Sequence, residues 1–153
     1  MKLTKYVPLF FLIFFTGCSS LILKPADFSW PIESVEKVTD NGNVDIARYS
    51  ISFNVKNLFL TETGDSLAYR NRKLSVIRST AGYYFMVADN FKNVYVFAAE
   101  DGKLKLDNKI VISDTTHMQN PAFNQRPPYI QLVYGNNSVY LTEHGIHNAE
   151  GQK

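Results

Sequence analysis

Three histidines are the residues of this sequence with the widest range of chemistry. His117, His144 and His147 lie toward the C-terminal end, and imidazole serves as a metal ligand and as an acid or base near neutral pH. However, positions three apart point to opposite faces of a strand, and Gly145 disfavours a helix there. Two alternatives remain: a metal or catalytic site built from these histidines, or a solvated tail over residues 143–153. Because no cysteine is left to join the histidines, the tail is favoured and no metal ligand is predicted.

The sequence lacks the short motifs that identify many enzyme families. It contains no Gly-x-Ser-x-Gly elbow, no His-Glu-x-x-His pair, no phosphate-binding glycine loop and no Cys-x-x-Cys. These absences exclude families that depend on such motifs, but not an enzyme whose catalytic groups meet only in space. The ionisable residues are also dispersed along the chain. This pattern favours a binding or structural protein without a cofactor over an enzyme.

A proline-rich segment, HMQNPAFNQRPP, runs from His117 to Pro128. Prolines stiffen a chain toward the extended polyproline II conformation, so the segment is predicted to be a stiff loop. Phe123 and Arg126 are then candidates for anchoring a protein partner, since aromatic rings and guanidinium groups dominate binding hot spots. The alternative is that Phe123 folds back onto the core.

Two neighbouring segments carry apolar residues on both faces of their predicted strands. These segments are Tyr83–Ala88 and Val94–Ala98, joined by a turn. A strand with one wet face needs only one apolar side, so the excess indicates either cover by another segment or an exposed aromatic patch. In the second case Tyr84 and Tyr95 are candidates for contact with a protein or sugar.

Alternating apolar residues and turn residues recur along most of the chain. Val44–Val55 alternates with period two and is predicted to be one strand, paired through the turn at 40–43 with Ile32–Thr39. A helix beginning at Pro31 is the competing interpretation of that partner segment. Further strands are predicted over Leu58–Thr61, Leu67–Tyr69, Leu74–Arg78, Tyr83–Ala88, Val94–Ala98, 104–112, Tyr129–Tyr134 and Ser138–Thr142.

This rhythm of short strands and turns is typical of antiparallel β proteins. The predicted fold is a single all-β domain over residues 28–142, either an antiparallel sandwich or a partly open barrel of roughly eight short strands.

The N-terminus has the order of an export signal. Lys2 and Lys5 precede an apolar run over Tyr6–Phe15, and the sequence TGCSS follows with the only cysteine, Cys18. The run is shorter than the ~20 residues that a membrane-spanning helix needs, so it is predicted to be a signal peptide over residues 1–17. A lone cysteine also fits an exported protein, because an oxidising compartment would offer it no internal partner.

The segment Phe15-Thr16-Gly17-Cys18 resembles the lipobox of bacterial lipoproteins. The resemblance implies cleavage before Cys18, a diacylglycerol on its sulfur and often a third acyl chain such as palmitate on the new N-terminus. Residues 18–27 would then form a membrane-proximal tether. Ser19 and Ser20 stand where an Asp marks inner-membrane retention in enterobacterial lipoproteins. The resemblance therefore implies the outer membrane, in a cell that has one.

The charge balance restricts the class of partner. The chain has 16 basic and 14 acidic residues, and loss of Lys2 and Lys5 with the signal leaves 14 of each. Such a domain offers no bulk attraction for nucleic acid. The sequence predicts a lipid-anchored cell-envelope module that acts through a protein partner. A glycan-binding module, or an enzyme or metal-binding protein that uses the histidines, is the alternative.

Overall fold

A computed structural model describes residues 33–147. Cys18, the predicted signal peptide and the predicted tether lie outside this range. The elements in chain order are β1 (Ser34–Lys37), β2 (Asn43–Ile46), β3 (Ile51–Asn54), α1 (Lys56–Thr63), β4 (Lys73–Arg78), β5 (Tyr84–Ala88), β6 (Asn93–Glu100), β7 (Lys103–Val111), β8 (Ala122–Arg126), β9 (Tyr129–Tyr134), β10 (Asn137–Thr142) and β11 (Gly145–His147). No helix in this part of the chain has the length and apolar character needed to cross a membrane.

The strands form two main antiparallel sheets and one separate hairpin. The five-stranded sheet has the order β1-β4-β5-β6-β7, the four-stranded sheet has the order β11-β10-β9-β8, and β2 pairs with β3. The sheets are open rather than closed into a barrel. The predicted all-β antiparallel fold is therefore confirmed, and it is a sandwich.

The five-stranded sheet is covered on both faces, which explains the doubly apolar strands in its centre. Phe85 of β5 packs edge-to-face on Phe123 of the four-stranded sheet, with 6.5 Å between ring centroids. On the opposite face, Tyr84 packs edge-to-face on Tyr49, which lies in the turn between β2 and β3, with 5.4 Å between ring centroids. All five residues of β5 are buried. Cover by other segments, rather than an exposed patch, is the alternative that the structure supports.

The prediction of one long strand over Val44–Val55 is wrong. A short 3₁₀ turn, followed by Ser50 with a φ of 52°, divides this segment into β2 and β3, which pair with each other. The expected turn at 40–43 does form, since the Gly42 N–H donates to the Thr39 carbonyl at 2.8 Å. Its preceding strand, β1, nevertheless pairs with β4. A period of two is satisfied equally by one strand or by two short ones, so alternation alone does not reveal the fold-back.

The predicted strands over Leu58–Thr61 and Leu67–Tyr69 are also wrong. The first lies in α1, and the second is a series of turns. Helix α1 buries Phe59 against Phe91, with 5.0 Å between ring centroids, and ends at Gly64 with a φ of 75°. Consecutive apolar residues fit a short buried strand or a helix, and here the tertiary contact decides.

Two segments predicted to lack regular structure contain strands. The middle of the proline-rich segment is β8, which pairs along its whole length with β9. In the predicted tail, β11 pairs with β10 and extends the folded chain beyond residue 142. The remaining strand predictions, from β4 to β7 and for β9 and β10, are confirmed with small shifts at their ends.

Candidate functional site

The aromatic candidates for partner binding lie inside the protein. Phe123 is 3% exposed, Tyr84 is 7% exposed and Tyr95 is 2% exposed. Phe123 points inward because it shares a face of its sheet with Leu132, directly opposite on β9. The packing alternative for Phe123 is therefore the one observed. Arg126, three residues further along β8, is on the surface.

Tyr95 has a structural partner that sequence reasoning missed. Its hydroxyl donates to Glu62 Oε2 of α1 at 2.6 Å, and the side-chain amide of Asn93 donates to the same oxygen at 2.8 Å. The backbone N–H groups of Lys92 and Asn93 donate to Glu62 Oε1. Burial, followed by the hydrogen bond and charge of Glu62, raises the pKa of Tyr95. These bonds hold α1 on the five-stranded sheet, which is central to the fold.

The three histidines do not come together. His117 and His144 are exposed, and the imidazole of His144 lies 3.7 Å from the Glu143 carboxylate. His147 lies on β11 and stacks on Tyr129, with 4.1 Å between ring centroids and an interplanar angle of 16°. Across residues 33–147, no three His, Cys, Asp or Glu side chains converge in a way that could hold a metal ion.

The outer face of the four-stranded sheet brings several of these residues together. Register places Arg126 opposite Tyr129, and Tyr140 opposite both Gln131 and His147. Opposite residues in an antiparallel pair share a face, so all five side chains lie on the side away from the core. We call these five residues the tyrosine face.

The tyrosine face is an assembled cluster of flat groups. Tyr129 packs against the edge of Tyr140, with 6.1 Å between ring centroids, while its own ring is stacked on His147. The Arg126 Nε donates to Gln131 Oε1 at 3.4 Å. Tyr140 is 36% exposed, which is high for a large aromatic side chain on a folded sheet.

The tyrosine face combines residue types that are common in protein-binding surfaces. Tyrosine and arginine are the residues most enriched in binding hot spots, because each presents a large contact area together with a polar end. Comparison of the chain with family models, curated proteins and solved structures finds no match. The chemistry of the face therefore carries the functional argument.

Sequence reasoning identified Arg126 and His147 but missed Tyr129, Gln131 and Tyr140. The information needed to find them was present in the sequence of the β9–β10 hairpin. The turn around Gly135 fixes the register between β9 and β10, and that register places Gln131 across from Tyr140 on one face. Combining register with alternation would have found the face.

A separate cleft of about 410 Å³ lies beside β1. The carboxylate of Glu33 lies in this cleft and accepts the backbone N–H of Phe123 at 2.8 Å. Burial raises the pKa of Glu33, and this effect exceeds the opposing effects of its hydrogen bonds with Phe123 and Ser75. Glu33 therefore links the first strand of one sheet to the other sheet.

Replacing this carboxylate should change how stability depends on pH. The pKa of Glu33 is raised in the folded state, so the folded state favours the protonated carboxyl. The contribution of Glu33 to the free energy of unfolding is therefore fully present below its ordinary pKa and is lost as pH rises through the folded-state pKa. Glu33→Gln retains an oxygen that can accept the Phe123 N–H but cannot ionise. We expect denaturant unfolding from about pH 4 to 7 to show a smaller loss of stability with rising pH in the variant. Parallel curves for the two proteins would contradict this role.

Proposed function

We propose that this protein is a lipid-anchored module of the cell envelope that binds a partner protein through its tyrosine face. The lipobox-like segment ending at Cys18 supports the anchor, since two or more acyl chains hold a protein stably on a membrane. The serines at positions 19 and 20 support an outer-membrane location. The balanced charge of the mature chain gives no reason to expect nucleic acid.

The observation that carries the binding proposal is the packed cluster on the solvent side of the sheet. Outward positions of a sheet with one wet face are usually polar, yet here two of them carry the aromatic residues Tyr129 and Tyr140, beside Arg126. The rings are already held by contacts with each other and with His147. A partner would therefore gain contact area at little cost in side-chain ordering.

A protein partner fits this cluster better than a glycan. Sugar rings bind by stacking on an open aromatic face, but His147 already stacks on Tyr129 at 4.1 Å. The edge-to-face contact between Tyr129 and Tyr140 likewise makes a stepped surface rather than a flat platform. The enzyme or metal-binding alternative draws no support from His117, which lies on a different segment from the tyrosine face.

Alanine substitutions on the face should weaken binding without unfolding the domain. The partner would first be recovered by crosslinking in intact cells and then purified. We expect Arg126→Ala and Tyr140→Ala each to reduce its affinity by about 2 kcal/mol or more, the scale of a binding hot spot. The matched control is Lys37→Ala, at an exposed position on β1.

Thermal melts would separate binding from folding in this experiment. Arg126→Ala should melt close to the wild type, since an exposed substitution usually changes stability by about 0.5 kcal/mol or less. Tyr140→Ala also removes the cross-strand contact with Tyr129 and should cost about 1 kcal/mol or less. Unchanged affinity in both face variants, or an equal loss in Lys37→Ala, would show that the partner binds elsewhere.

A further inference from the structure

A second cleft lies between the β2–β3 hairpin and the end of the β6–β7 hairpin. Its volume is about 470 Å³, within the range of ~300 to 1,000 Å³ typical of small-molecule sites. The contact between Tyr49 and Tyr84 holds the small hairpin against the central sheet. We call this space the hairpin cleft.

The walls of the hairpin cleft are largely apolar. Ile51 and Phe53 line it from β3, Leu104 lines it from β7, and Tyr84 lines it from the central sheet. The first three side chains are only partly buried by the protein itself. Burying this surface against an apolar ligand would remove it from water, which favours binding in proportion to the area covered.

The apolar surface continues beyond the cleft along β7. Leu106 lies two residues after Leu104 and therefore on the same face of the strand. Register pairs it with Phe97 on β6, and it is 51% exposed. An extended ligand can therefore follow β7 from the cleft toward Leu106.

One cationic side chain lines the cleft. Lys103 lines the cleft, and the Arg78 guanidinium lies over the Tyr84 ring, 5.6 Å from its centroid. Glu100 lies directly opposite Lys103 in the register, but its carboxylate is bound by Lys105, with 3.2 Å between Lys105 Nζ and Glu100 Oε2. Within the described part of the chain, Lys103 has no carboxylate within 4.0 Å, although Asp101 lies in the same turn. An anionic group beside Lys103 would therefore find an uncommitted ammonium.

We infer that the hairpin cleft binds an anionic amphiphile of the fatty-acid class. The alkyl chain lies against Ile51, Phe53 and Leu104, and the carboxylate lies beside Lys103. An apolar interior with a single cation at its edge matches these two parts of the ligand. This site does not involve the tyrosine face, so its test is independent of the partner binding proposed for that face.

The test uses photoreactive dodecanoate with the full chain in lipid nanodiscs. Irradiation followed by peptide mapping should locate saturable labelling at residues 51–53 and 102–104. Dodecanoate should compete for the site, whereas dodecyltrimethylammonium, with the same chain and the opposite charge, should not. Each added methylene that becomes buried should improve competition about fourfold, so dodecanoate should exceed decanoate.

Charge reversal at the cleft provides the decisive comparison. We expect Lys103→Glu to weaken competition by dodecanoate at least tenfold, because a favourable charge contact becomes a repulsive one. Lys37→Glu makes the same change at an exposed position on β1 and should leave competition unchanged. Labelling that does not saturate, equal competition by the cationic amphiphile, or equal effects of the two reversals would overturn the inference.

Discussion

Phe123→Ala is expected to lower the free energy of unfolding by about 3 to 5 kcal/mol, the cost typical of removing a buried aromatic ring. The Phe123 side chain is 3% exposed and packs edge-to-face on Phe85 between the two sheets. Because the contact joins the sheets, the surroundings can collapse only partly into the space left by the ring. The loss should be visible in equilibrium denaturation with urea as a lower midpoint.

The same strand provides the control for this substitution. Arg126 lies three residues after Phe123 and therefore on the outer face of the strand, so Arg126→Ala should change stability by no more than about 0.5 kcal/mol. Phe123→Leu should fall between the two, since it retains part of the buried volume. If all three substitutions changed the free energy of unfolding by the same small amount, Phe123 would have to lie on the surface. That result would support the alternative prediction that Phe123 anchors a partner.

Cys18→Ser is expected to remove the protein from the membrane fraction. The proposed diacylglycerol anchor requires a thioether at Cys18, which a hydroxyl cannot form, and the apolar run at Tyr6–Phe15 is itself too short to span a bilayer. Fractionation of cells that express each protein would measure the distribution. Ser20→Ala is the matched control, because it keeps a small residue beside Cys18 and should remain bound to membranes.

Mass spectrometry provides a second measurement of the anchor. The N-terminal peptide of the wild-type protein should begin at Cys18 and carry the mass of a diacylglycerol, with or without a further acyl chain. An unmodified Cys18, or membrane retention of Cys18→Ser equal to that of the wild type, would contradict the lipoprotein proposal.

The sequence predicted the central strands because their apolar content leaves few alternatives. In β5 and β6, Phe85, Val87 and Val96 belong to continuous apolar runs bounded by turn residues. Such runs are long enough for strands and too short for helices of typical length. The β9–β10 hairpin was predicted from its turn residues around Gly135. Glycine readily adopts the positive φ of 53° that this turn requires.

The elements that were mispredicted depend on contacts between residues distant in sequence. Helix α1 is stabilised by Phe59 on Phe91 and by Glu62 on Tyr95, and neither contact leaves a local pattern. The pairing of β1 with β4 likewise joins segments separated by α1. Local alternation determines which residues lie on one face of a strand, but not which strand lies beside it.

The sequence alone identified only some residues of the tyrosine face, for the same reason. Arg126 and His147 stood out by residue type, whereas Tyr129 and Tyr140 gained significance only when register placed them on one surface. The burial of Tyr84 and Tyr95 could not be inferred from their own strands, because the covering hairpin and helix were themselves predicted as other structures.

Site-specific photocrosslinking in intact cells tests the proposed binding face most directly. A photoreactive amino acid at position 138, exposed on β10 beside Tyr140, would sample the surroundings of the face, and one at position 37, exposed on β1, would sample the edge of the other sheet. The proposal predicts a discrete adduct with one protein from position 138, no such adduct from position 37, and loss of the first adduct when Arg126→Ala is added. No protein adduct from position 138, or the same adduct from both positions, would contradict it.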